Sequence, residues 1–211
     1  MTGRLAVGVS GAGSNLRALH AATEAGTVNA GIVLVFANRD CAGLAWAAEQ
    51  GIETALVPVP TASDAAGCAE ADATLAETLV AVAPDLVVLA GYMRVLGPAT
   101  LSAFAGRIVN THPSLLPAFP GAHPVRDTLA AGAQVTGATV HLVDATLDGG
   151  PILAQERVPI LAGDDEATLH ERIKDVEHRL LPRVVGELLA VKMPAMAEAS
   201  RTPLVAGRTR R

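Results

Sequence analysis

The first half of the chain alternates short apolar runs with segments of helix-forming residues. The apolar runs predict strands at Arg4–Val9, Ile32–Phe36, Thr54–Val57 and Leu86–Ala90. The segments between them predict helices from Leu16 to Gly26, over Leu44–Gln50 and over Glu70–Val82. Such alternation predicts right-handed βαβ crossovers, and therefore an α/β fold with one open, mostly parallel twisted sheet and helices on both faces. Ligands of such sheets bind at the carboxyl ends of the strands.

The second half has a different pattern, because prolines interrupt it. Ile108–Val109 predicts a brief strand that runs into Asn110–Pro120, where the prolines disfavour a regular ladder or helix. The turn Asp144–Pro151 then separates two strand-like runs. The elements predicted here are the strands Thr136–Val143 and Ile152–Val158 and a closing helix over Glu166–Val191 that is interrupted near Pro182.

A single domain is the expected organisation of 211 residues, since one core keeps growing to about 250–300 residues before chains split. We expect a βαβ half over residues 1–100, a second half over residues 101–195 and a tail over residues 196–211. Half of the residues are hydrophobic, but only one Trp, one Tyr and three Phe occur, so Ala, Val and Leu must build the core. This composition suits a buried parallel sheet covered by Ala-rich helices.

Charge and cysteine content argue against several classes of protein. A net charge of -5 and an isoelectric point near 5.6 disfavour a nucleic-acid binder, which needs a basic face. The basic cluster Arg208, Arg210 and Arg211 is interpreted as a short solvated tail. Cys41 and Cys68 lack the spacing of a disulfide framework or a zinc site, so no metal is expected. Without a signal-peptide pattern or a membrane-length apolar run, we expect a soluble cytoplasmic protein.

The turn Ser10–Asn15 follows the first predicted strand and contains Gly11 and Gly13. Glycines let the backbone approach a ligand, and free N–H groups at the start of the next helix favour a phosphate. Leu16 occupies the position of the third glycine of a dinucleotide fingerprint, so a monophosphate is favoured over NAD. The alternative is that these glycines only make a tight turn.

Asn110 and His112 lie on one face of the predicted strand end, because side chains in a strand alternate with period two. An amide N–H can stabilise an oxyanion while an imidazole moves a proton between amines, so the pair suits acyl transfer. The attacking group is then the substrate's own amine, and no Ser or Cys nucleophile is needed. The alternatives are an Asn that forms a turn and a His that belongs to a loop.

Asp148 precedes two glycines in the turn Asp144–Pro151, and an Asp beside glycine is an ordinary turn former. Its functional interpretation is that the carboxylate lies against His112. There it would favour the protonated imidazole and fix the tautomer and orientation of the ring. The contact between these two side chains is therefore a prediction for the structure to test.

Taken together, these segments resemble the folate-dependent formyltransferases. The resemblance is carried by the Ser10–Asn15 turn, by Asn110 and His112 with their Ser-Leu-Leu-Pro extension, and by the Leu147–Gly150 turn, in this order and at these separations. It covers nearly the whole chain, from about Leu5 to Leu188. It implies a Rossmann-like fold and formyl transfer from 10-formyltetrahydrofolate as co-substrate, without a metal.

The resemblance also implies catalytic roles for Asn110, His112 and Asp148. Asn110 would stabilise the oxyanion, His112 would act as general acid and base, and Asp148 would tune His112. The first half of the chain would then bind the nucleotide, and the second half would bind folate and carry the catalysis. Because the whole family shares these motifs, they imply formyl-folate chemistry and leave the acceptor to other residues.

Within the family, the chain is most similar to the members that formylate the amine of glycinamide ribonucleotide in purine synthesis. Gly13, Ser14 and Asn15 match their loop for the ribonucleotide phosphate, and Glu177 matches the acidic residue that binds the ribose hydroxyls. The implied acceptor site is completed by Lys174, Asp175 and Val176. The implied partners are small molecules, with no nucleic acid and no membrane, and the chain would be a monomer or a homodimer.

The implied folate site follows the most strand-like run of the chain. Its pterin-binding segment consists of Met93, Arg94, Val95 and Leu96, of which Val95 and Leu96 are alternatively core residues. Asn110 would also contact folate, and the residues that would close over the pterin are Asp144, Ala145, Thr146, Leu147 and Asp148. Where some members place an Arg for the glutamate tail of folate, Asp64–Cys68 contains no basic residue, so tail binding would come from elsewhere.

Three other functions fit parts of the pattern. A formyltetrahydrofolate deformylase uses water in place of the amine and normally carries an N-terminal regulatory domain, whereas this chain begins at the first strand. A methionyl-tRNA formyltransferase carries a C-terminal domain for tRNA, whereas this chain ends soon after Ala190 and is acidic. A non-catalytic Rossmann module would use Gly11 and Gly13 for NAD, which Leu16 disfavours.

Overall fold

One sheet organises the structure, a computed structural model that describes residues 2–61 and 63–191. The strands are β1 (Gly3–Val9), β2 (Ala30–Ala37), β3 (Thr54–Leu56), β4 (Leu86–Leu89), β5 (Ile108–His112), β6 (Val135–Leu142) and β7 (Ile152–Pro159). The helices are α1 (Ser14–Glu24), α2 (Ala42–Glu49), α3 (Ala65–Val82), α4 (Pro98–Ala103), α5 (Pro124–Ala130) and α6 (Glu166–Ala190).

The strands form a seven-stranded sheet in the order β3-β2-β1-β4-β5-β6-β7. The first five in this order run parallel, and β6 and β7 each pair antiparallel with the preceding strand. The predicted open, mostly parallel sheet is therefore confirmed. The chain leaves β1 towards β2 on one side and later returns to β4 on the other. A crevice opens at the carboxyl ends of strands where the order switches in this way.

Helices cover both faces of the sheet, as the alternation predicts. On one face α1 and α6 pack Leu16, Leu19 and Ile173 against the strands, and on the other α3 packs Leu75 and Leu79. A leucine buried in this way contributes about 1.5–3 kcal/mol relative to an exposed one. Leu16, which replaces a fingerprint glycine, is fully buried and so belongs to the core.

Three helices differ from the prediction at their start or in their existence. α3 begins at Ala65 rather than Glu70, because the Asp64 carboxylate caps it by accepting the N–H of Gly67 at 2.9 Å. The sequence pattern does not predict α4 or α5, which have six and seven residues. Two turns are too short for an apolar period to emerge, and the only signal is a proline at the start of each.

α6 runs continuously over Glu166–Ala190, so the predicted interruption near Pro182 is wrong. A proline inside a helix costs about 3 kcal/mol or more. Leu180, Leu181 and Val185 around it are buried in the core, at about 1.5–3 kcal/mol each. Burial on both sides of the proline therefore outweighs the local loss.

β5 continues past the predicted end at Val109 and ends at His112, one residue before the first proline of that segment. Its last residues pair with β6, which supplies the ladder hydrogen bonds. The predicted tail over residues 196–211 lies outside the described residues, as do the last residues of the predicted second half. Among the described residues, no helix has the length and apolar character needed to cross a membrane.

Candidate active site

Three of the predicted segments meet at one edge of the sheet. The Ser10–Asn15 turn follows β1, the segment Met93–Leu96 follows β4, and Asn110 and His112 end β5. Because β1, β4 and β5 are neighbours that run in the same direction, their carboxyl ends lie side by side. The three segments therefore lie at the point where the strand order switches, which is where open α/β sheets bind ligands.

Asp148 lies between two buried imidazoles. Its Oδ2 is 3.7 Å from Nδ1 of His112, and its Oδ1 is 3.8 Å from Nε2 of His141. The amide Nδ2 of Asn110 is 3.1 Å from the same Nε2 of His141. The structure thus brings Asn110, His112 and Asp148 together, with His141 as a fourth member that the sequence pattern does not identify.

A backbone carbonyl determines which nitrogen of His112 carries a proton. Nε2 is 2.9 Å from the carbonyl oxygen of Phe119, which can only accept, so Nε2 holds the N–H of the neutral ring. Nδ1 then has a free lone pair that faces Asp148. The loop around Phe119 is held in turn by the Ser114 hydroxyl, which donates to the carbonyl of Ala118 at 2.6 Å. A proton gained by His112 therefore goes to Nδ1, beside the carboxylate.

The ring of His141 is oriented in the same way. Its Nδ1 donates to the carbonyl of Leu142 at 2.9 Å, so Nε2 is left to accept from the Asn110 amide. Burial lowers the pKa of His141, although the bond to Leu142 and the charge of Asp148 oppose the shift, and the ring stays neutral. One N–H of the Asn110 amide is thus used, and the second remains for a ligand.

Only the strand register reveals His141. β6 pairs with β5 so that His141 lies directly opposite Asn110, and paired residues share a face of the sheet. The sequence predicts both strands but not that they are neighbours. A histidine within a predicted strand is the available signal, and it becomes specific only once the strand order is known.

The turn after β6 places the Asp148 carboxylate. Asp148 has a φ of 50°, a left-handed conformation that Asp tolerates better than most residues. Its Oδ2 accepts the N–H of Gly121 at 2.7 Å. A glycine is needed at Gly150, because a Cβ there would overlap the carbonyl oxygen of Leu142. Asp148 is therefore both a turn residue and the carboxylate of the cluster.

The start of the same turn is exposed to solvent. The Asp144 carboxylate accepts the N–H of Thr146 at 2.7 Å, which forms a local Asx turn. Ala145 and Leu147 are both exposed, and Leu147 is 61% accessible despite being a large apolar side chain. These residues can therefore contact a ligand without any change in the core.

Two side chains anchor the backbone that follows β4. The N–H of Met93 donates to the Ser10 hydroxyl at 2.8 Å, and that hydroxyl donates to the amide oxygen of Asn38. At the other end, the N–H of Gly97 donates to the Asp72 carboxylate at 2.9 Å. The segment is thus fixed to the loops after β1 and β2 and to α3.

The side chains of this segment point in different directions. Val95 is 80% exposed and Met93 is 60% exposed, so the alternative that Val95 is a core residue is wrong. Leu96 is buried and packs in the core beside α3. The Arg94 guanidinium donates to the carbonyl of Pro60 and so carries a positive charge to the loop before α3.

Glu177 of α6 joins the turn after β1 to β5. Its Oε2 accepts from the Asn15 amide at 3.1 Å, and its Oε1 accepts from the Thr111 hydroxyl at 2.9 Å. Gly13 has a φ of 74°, and a Cβ on it would collide with the backbone of Gly43. Glycine is therefore required at this position by the fold, whatever the turn binds.

The other predicted acceptor residues differ in accessibility. Ser14 opens α1 after Gly13, which has no side chain to cap the first N–H groups of the helix. Lys174 forms an ion pair with Glu171 at 2.6 Å, and Asp175 is exposed. Val176 is buried in the core, so it supports the site from behind rather than lining it.

Known proteins are similar to this chain in both sequence and fold. The profile of the formyl transferase family matches residues 3–185. A phosphoribosylglycinamide formyltransferase from Mycobacterium tuberculosis is 54% identical over 187 residues, which cover 88% of this chain and 84% of the relative. The crystal structure of phosphoribosylglycinamide formyltransferase from Bacillus halodurans matches with a TM-score of 0.82 at 38% identity, over 90% of this chain and 96% of that one.

A formyltetrahydrofolate deformylase from Pseudomonas syringae pv. tomato also matches, with a TM-score of 0.81 at 28% identity. That match covers 90% of this chain and 62% of the deformylase chain. These comparisons show an α/β enzyme, and the edge of its sheet carries the buried cluster of an amide, two imidazoles and a carboxylate. The chain belongs to the formyl transferase family.

Proposed function

We propose that this chain transfers the formyl group of 10-formyltetrahydrofolate to the amine of glycinamide ribonucleotide, a step of purine synthesis. The observation that carries the proposal is the convergence of Asn110, His112 and Asp148 at the edge of the sheet where parallel strands end. The similarity to relatives named for this reaction supports the same acceptor. The chemistry needs no metal, because an amide donor and an acid–base pair supply what formyl transfer requires.

The reaction begins when the neutral amine of the acceptor attacks the formyl carbon. A C–N bond forms, and the carbonyl oxygen becomes an oxyanion that accepts the second N–H of the Asn110 amide. His141 holds that amide in place through its neutral Nε2. A donor fixed in advance stabilises the developing charge without reorganising during the step.

Proton transfer through His112 completes the reaction. The attacking nitrogen becomes positively charged and gives a proton to Nδ1 of His112, the nitrogen that faces Asp148. The Asp148 carboxylate stabilises the resulting imidazolium. The same proton passes to the folate nitrogen as its bond to the formyl carbon breaks, so that folate leaves as a neutral amine.

The two substrates approach the cluster from different segments in this proposal. The acceptor phosphate lies on Gly13, Ser14 and Asn15 with Lys174 and Asp175 nearby, and its ribose hydroxyls meet Glu177. Folate lies between the segments Met93–Leu96 and Asp144–Asp148. Within one domain, residues 1–100 would supply the phosphate turn and residues 101–195 the catalytic cluster, while Met93–Leu96 of the first half serves folate and Glu177 of the second half serves the nucleotide.

The decisive experiment measures turnover with and without the acceptor. The protein is mixed with 10-formyltetrahydrofolate, and the folate absorbance is followed in the presence and absence of glycinamide ribonucleotide. We expect turnover only with the amine, and retention of the formyl group on the product. A deformylase activity is the second candidate, favoured by the similarity to the Pseudomonas protein, and it would consume folate without the amine.

Two further measurements address the remaining alternatives. A flat titration with NAD(H) beside clear binding of glycinamide ribonucleotide would exclude a Rossmann module that binds NAD. Sedimentation would distinguish the monomer from the homodimer. We also propose a reducing, cytoplasmic setting, which suits the free thiols of Cys41 and Cys68.

A further inference from the structure

The carboxylate of Glu177 is buried without a cation beside it. The residue is 4% exposed, and among the described residues no Lys, Arg or His lies within ion-pair distance of it. Burying a carboxylate is costly unless hydrogen bonds replace its water. Only two neutral donors do so in the described structure, the Asn15 amide at 3.1 Å and the Thr111 hydroxyl at 2.9 Å.

Thr111 links this carboxylate to the catalytic strand. It stands between Asn110 and His112 on β5, and alternation turns its side chain to the opposite face of the sheet, where α6 packs. The backbone that presents the two catalytic side chains on one face therefore presents the hydroxyl to Glu177 on the other. Thr111 is 7% exposed, so its hydroxyl has little access to water.

The arrangement leaves acceptor capacity that a ligand can use. An ionised carboxylate offers about four lone-pair sites, of which Asn15 and Thr111 occupy two. The Oδ1 of Asn15 is also buried and has no hydrogen-bond partner among the described residues. Turning the Asn15 amide over would bring two oxygens together, so Nδ2 is the atom that faces Glu177.

We propose that Thr111 is a positioning residue for the acceptor substrate, acting through Glu177. Its hydroxyl fixes the rotamer of Glu177 so that the remaining lone pairs meet the paired hydroxyl donors of the ribose. The inference rests on the proposed function, because it assumes that a ribonucleotide occupies this site. Thr111 contributes to acceptor binding and not to the chemical step, which takes place on the other face of β5.

Steady-state kinetics of three variants test the inference. Thr111→Val keeps the shape and removes the hydroxyl, whereas Thr111→Ser keeps the hydroxyl. Thr136→Val is the matched control, since Thr136 is a buried strand residue whose hydroxyl has no partner in the described structure. In Thr111→Val we expect the KM for glycinamide ribonucleotide to rise at least about threefold, with kcat and the folate KM within about twofold of wild type. Thr111→Ser and Thr136→Val should match the wild type.

A double-mutant cycle shows whether Thr111 acts through Glu177. In a Glu177→Gln background, the loss caused by Thr111→Val should shrink to less than about 1.5-fold, because the group that it positions has changed. If the two substitutions act independently, so that the increase in acceptor KM in the double variant is the product of the two single increases, the inference is wrong. Should Thr111→Val fail to fold, Thr111→Ala removes the hydroxyl without placing a methyl group against the carboxylate and takes the same test.

The outcomes also separate this inference from the proposed function. A wild-type protein that does not formylate glycinamide ribonucleotide overturns both. A wild-type protein that does so, together with an unchanged acceptor KM in Thr111→Val, overturns only the role of Thr111. Equal increases in both substrate KM values, accompanied by a lower melting temperature, would show that Thr111 is merely structural.

Discussion

His112 has a single nitrogen available for proton transfer, because the carbonyl of Phe119 occupies the other. Asp148 sits beside the available nitrogen and not beside the occupied one. A carboxylate in this position stabilises the protonated ring and leaves the tautomer to the backbone. In many acid–base pairs a single carboxylate both fixes the tautomer of the histidine and stabilises its protonated ring. Here the carbonyl of Phe119 fixes the tautomer, and Asp148 is left to stabilise the protonated ring.

Replacing His112 by Ala should reduce kcat roughly 10²–10⁴-fold, the usual contribution of a positioned general acid and base. Asp148→Ala should cost at least about tenfold, since the protonated ring would lose its counter-charge. Because both side chains are buried and hydrogen-bonded, each variant should also melt at a lower temperature, so kcat is compared at a temperature at which the variant is fully folded. Rapid-quench and steady-state assays provide the measurement, and a fully active His112→Ala enzyme would refute the mechanism.

Asn110→Ala should lower kcat by about 10²–10³-fold, because one oxyanion donor is typically worth about 2.7–4 kcal/mol in the transition state. The KM values should change much less, since the oxyanion forms only during reaction. Steady-state kinetics at saturating concentrations of both substrates measures the effect. An equal loss in binding of unreactive folate analogues would instead assign Asn110 to ground-state binding.

At the scale of secondary-structure elements, the sequence predicts where the strands lie along the chain but not which strands pair with each other in the sheet. The runs that predict β1, β2, β4, β6 and β7 match the structure to within two residues at each end. Apolar periodicity depends only on local burial, whereas the pairing of His141 with Asn110 depends on strand order. The proposed catalytic residues Asn110, His112 and Asp148 are thus recognisable from motifs, whereas His141 is found only once the sheet is known.

In the loops and helices, too, local sequence patterns predict some features, whereas others depend on contacts that form only in the folded protein. Asp148 can be predicted to lie near His112 only through a resemblance, because the turn around it reads as an ordinary Asx turn. The role of Val176 and the continuity of α6 through Pro182 depend on core packing across the sheet, which a sequence pattern does not report. Exposure of Val95 likewise follows from the anchoring of its backbone.

Ser10→Ala should weaken folate binding through the segment after β4. The variant leaves the N–H of Met93 without its acceptor and frees Asn38, and a hydrogen bond of this kind is worth about 0.5–1.5 kcal/mol. We expect the folate KM to rise roughly two- to tenfold. Ser102→Ala on the exposed face of α4 is the matched control. Unchanged folate binding in Ser10→Ala would show that the segment is held by other contacts.

At the scale of the whole molecule, one buried and one half-buried histidine make stability depend on pH. Burial lowers the pKa of both His141 and His170 below 6.5 in the folded protein. As the pH falls below 6.5, the unfolded chain binds protons that the folded protein does not, so the free energy of unfolding decreases. The stability that the neutral histidines contribute is fully present above pH 6.5. It is lost as the pH falls towards the lower pKa values that the two histidines have in the folded protein.

Urea unfolding between pH 8 and pH 5.5 measures this dependence. The urea concentration at the midpoint of unfolding should fall as the pH falls over this interval. His170 lies outside the cluster around Asp148, and His170→Gln should make the midpoint depend less steeply on pH. The free energy of unfolding should decrease further between about pH 4 and pH 2, because hydrogen bonds from Arg172 lower the pKa of Asp164 from 3.8 to about 2. A midpoint that is constant from pH 8 to 5.5 would contradict the histidine contribution.

The order β1-β4-β5 also fixes the distance between the turn after β1 and the end of β5. Neighbouring strands are about 4.7–4.9 Å apart, so the turn after β1, which we propose binds the acceptor phosphate, and the cluster at the end of β5 are separated by two strand spacings, or about 10 Å. Hydrogen bonds of the ladder make this distance almost incompressible. An acceptor that is one methylene shorter or longer between phosphate and amine would therefore bind but present its nitrogen out of reach of the formyl carbon.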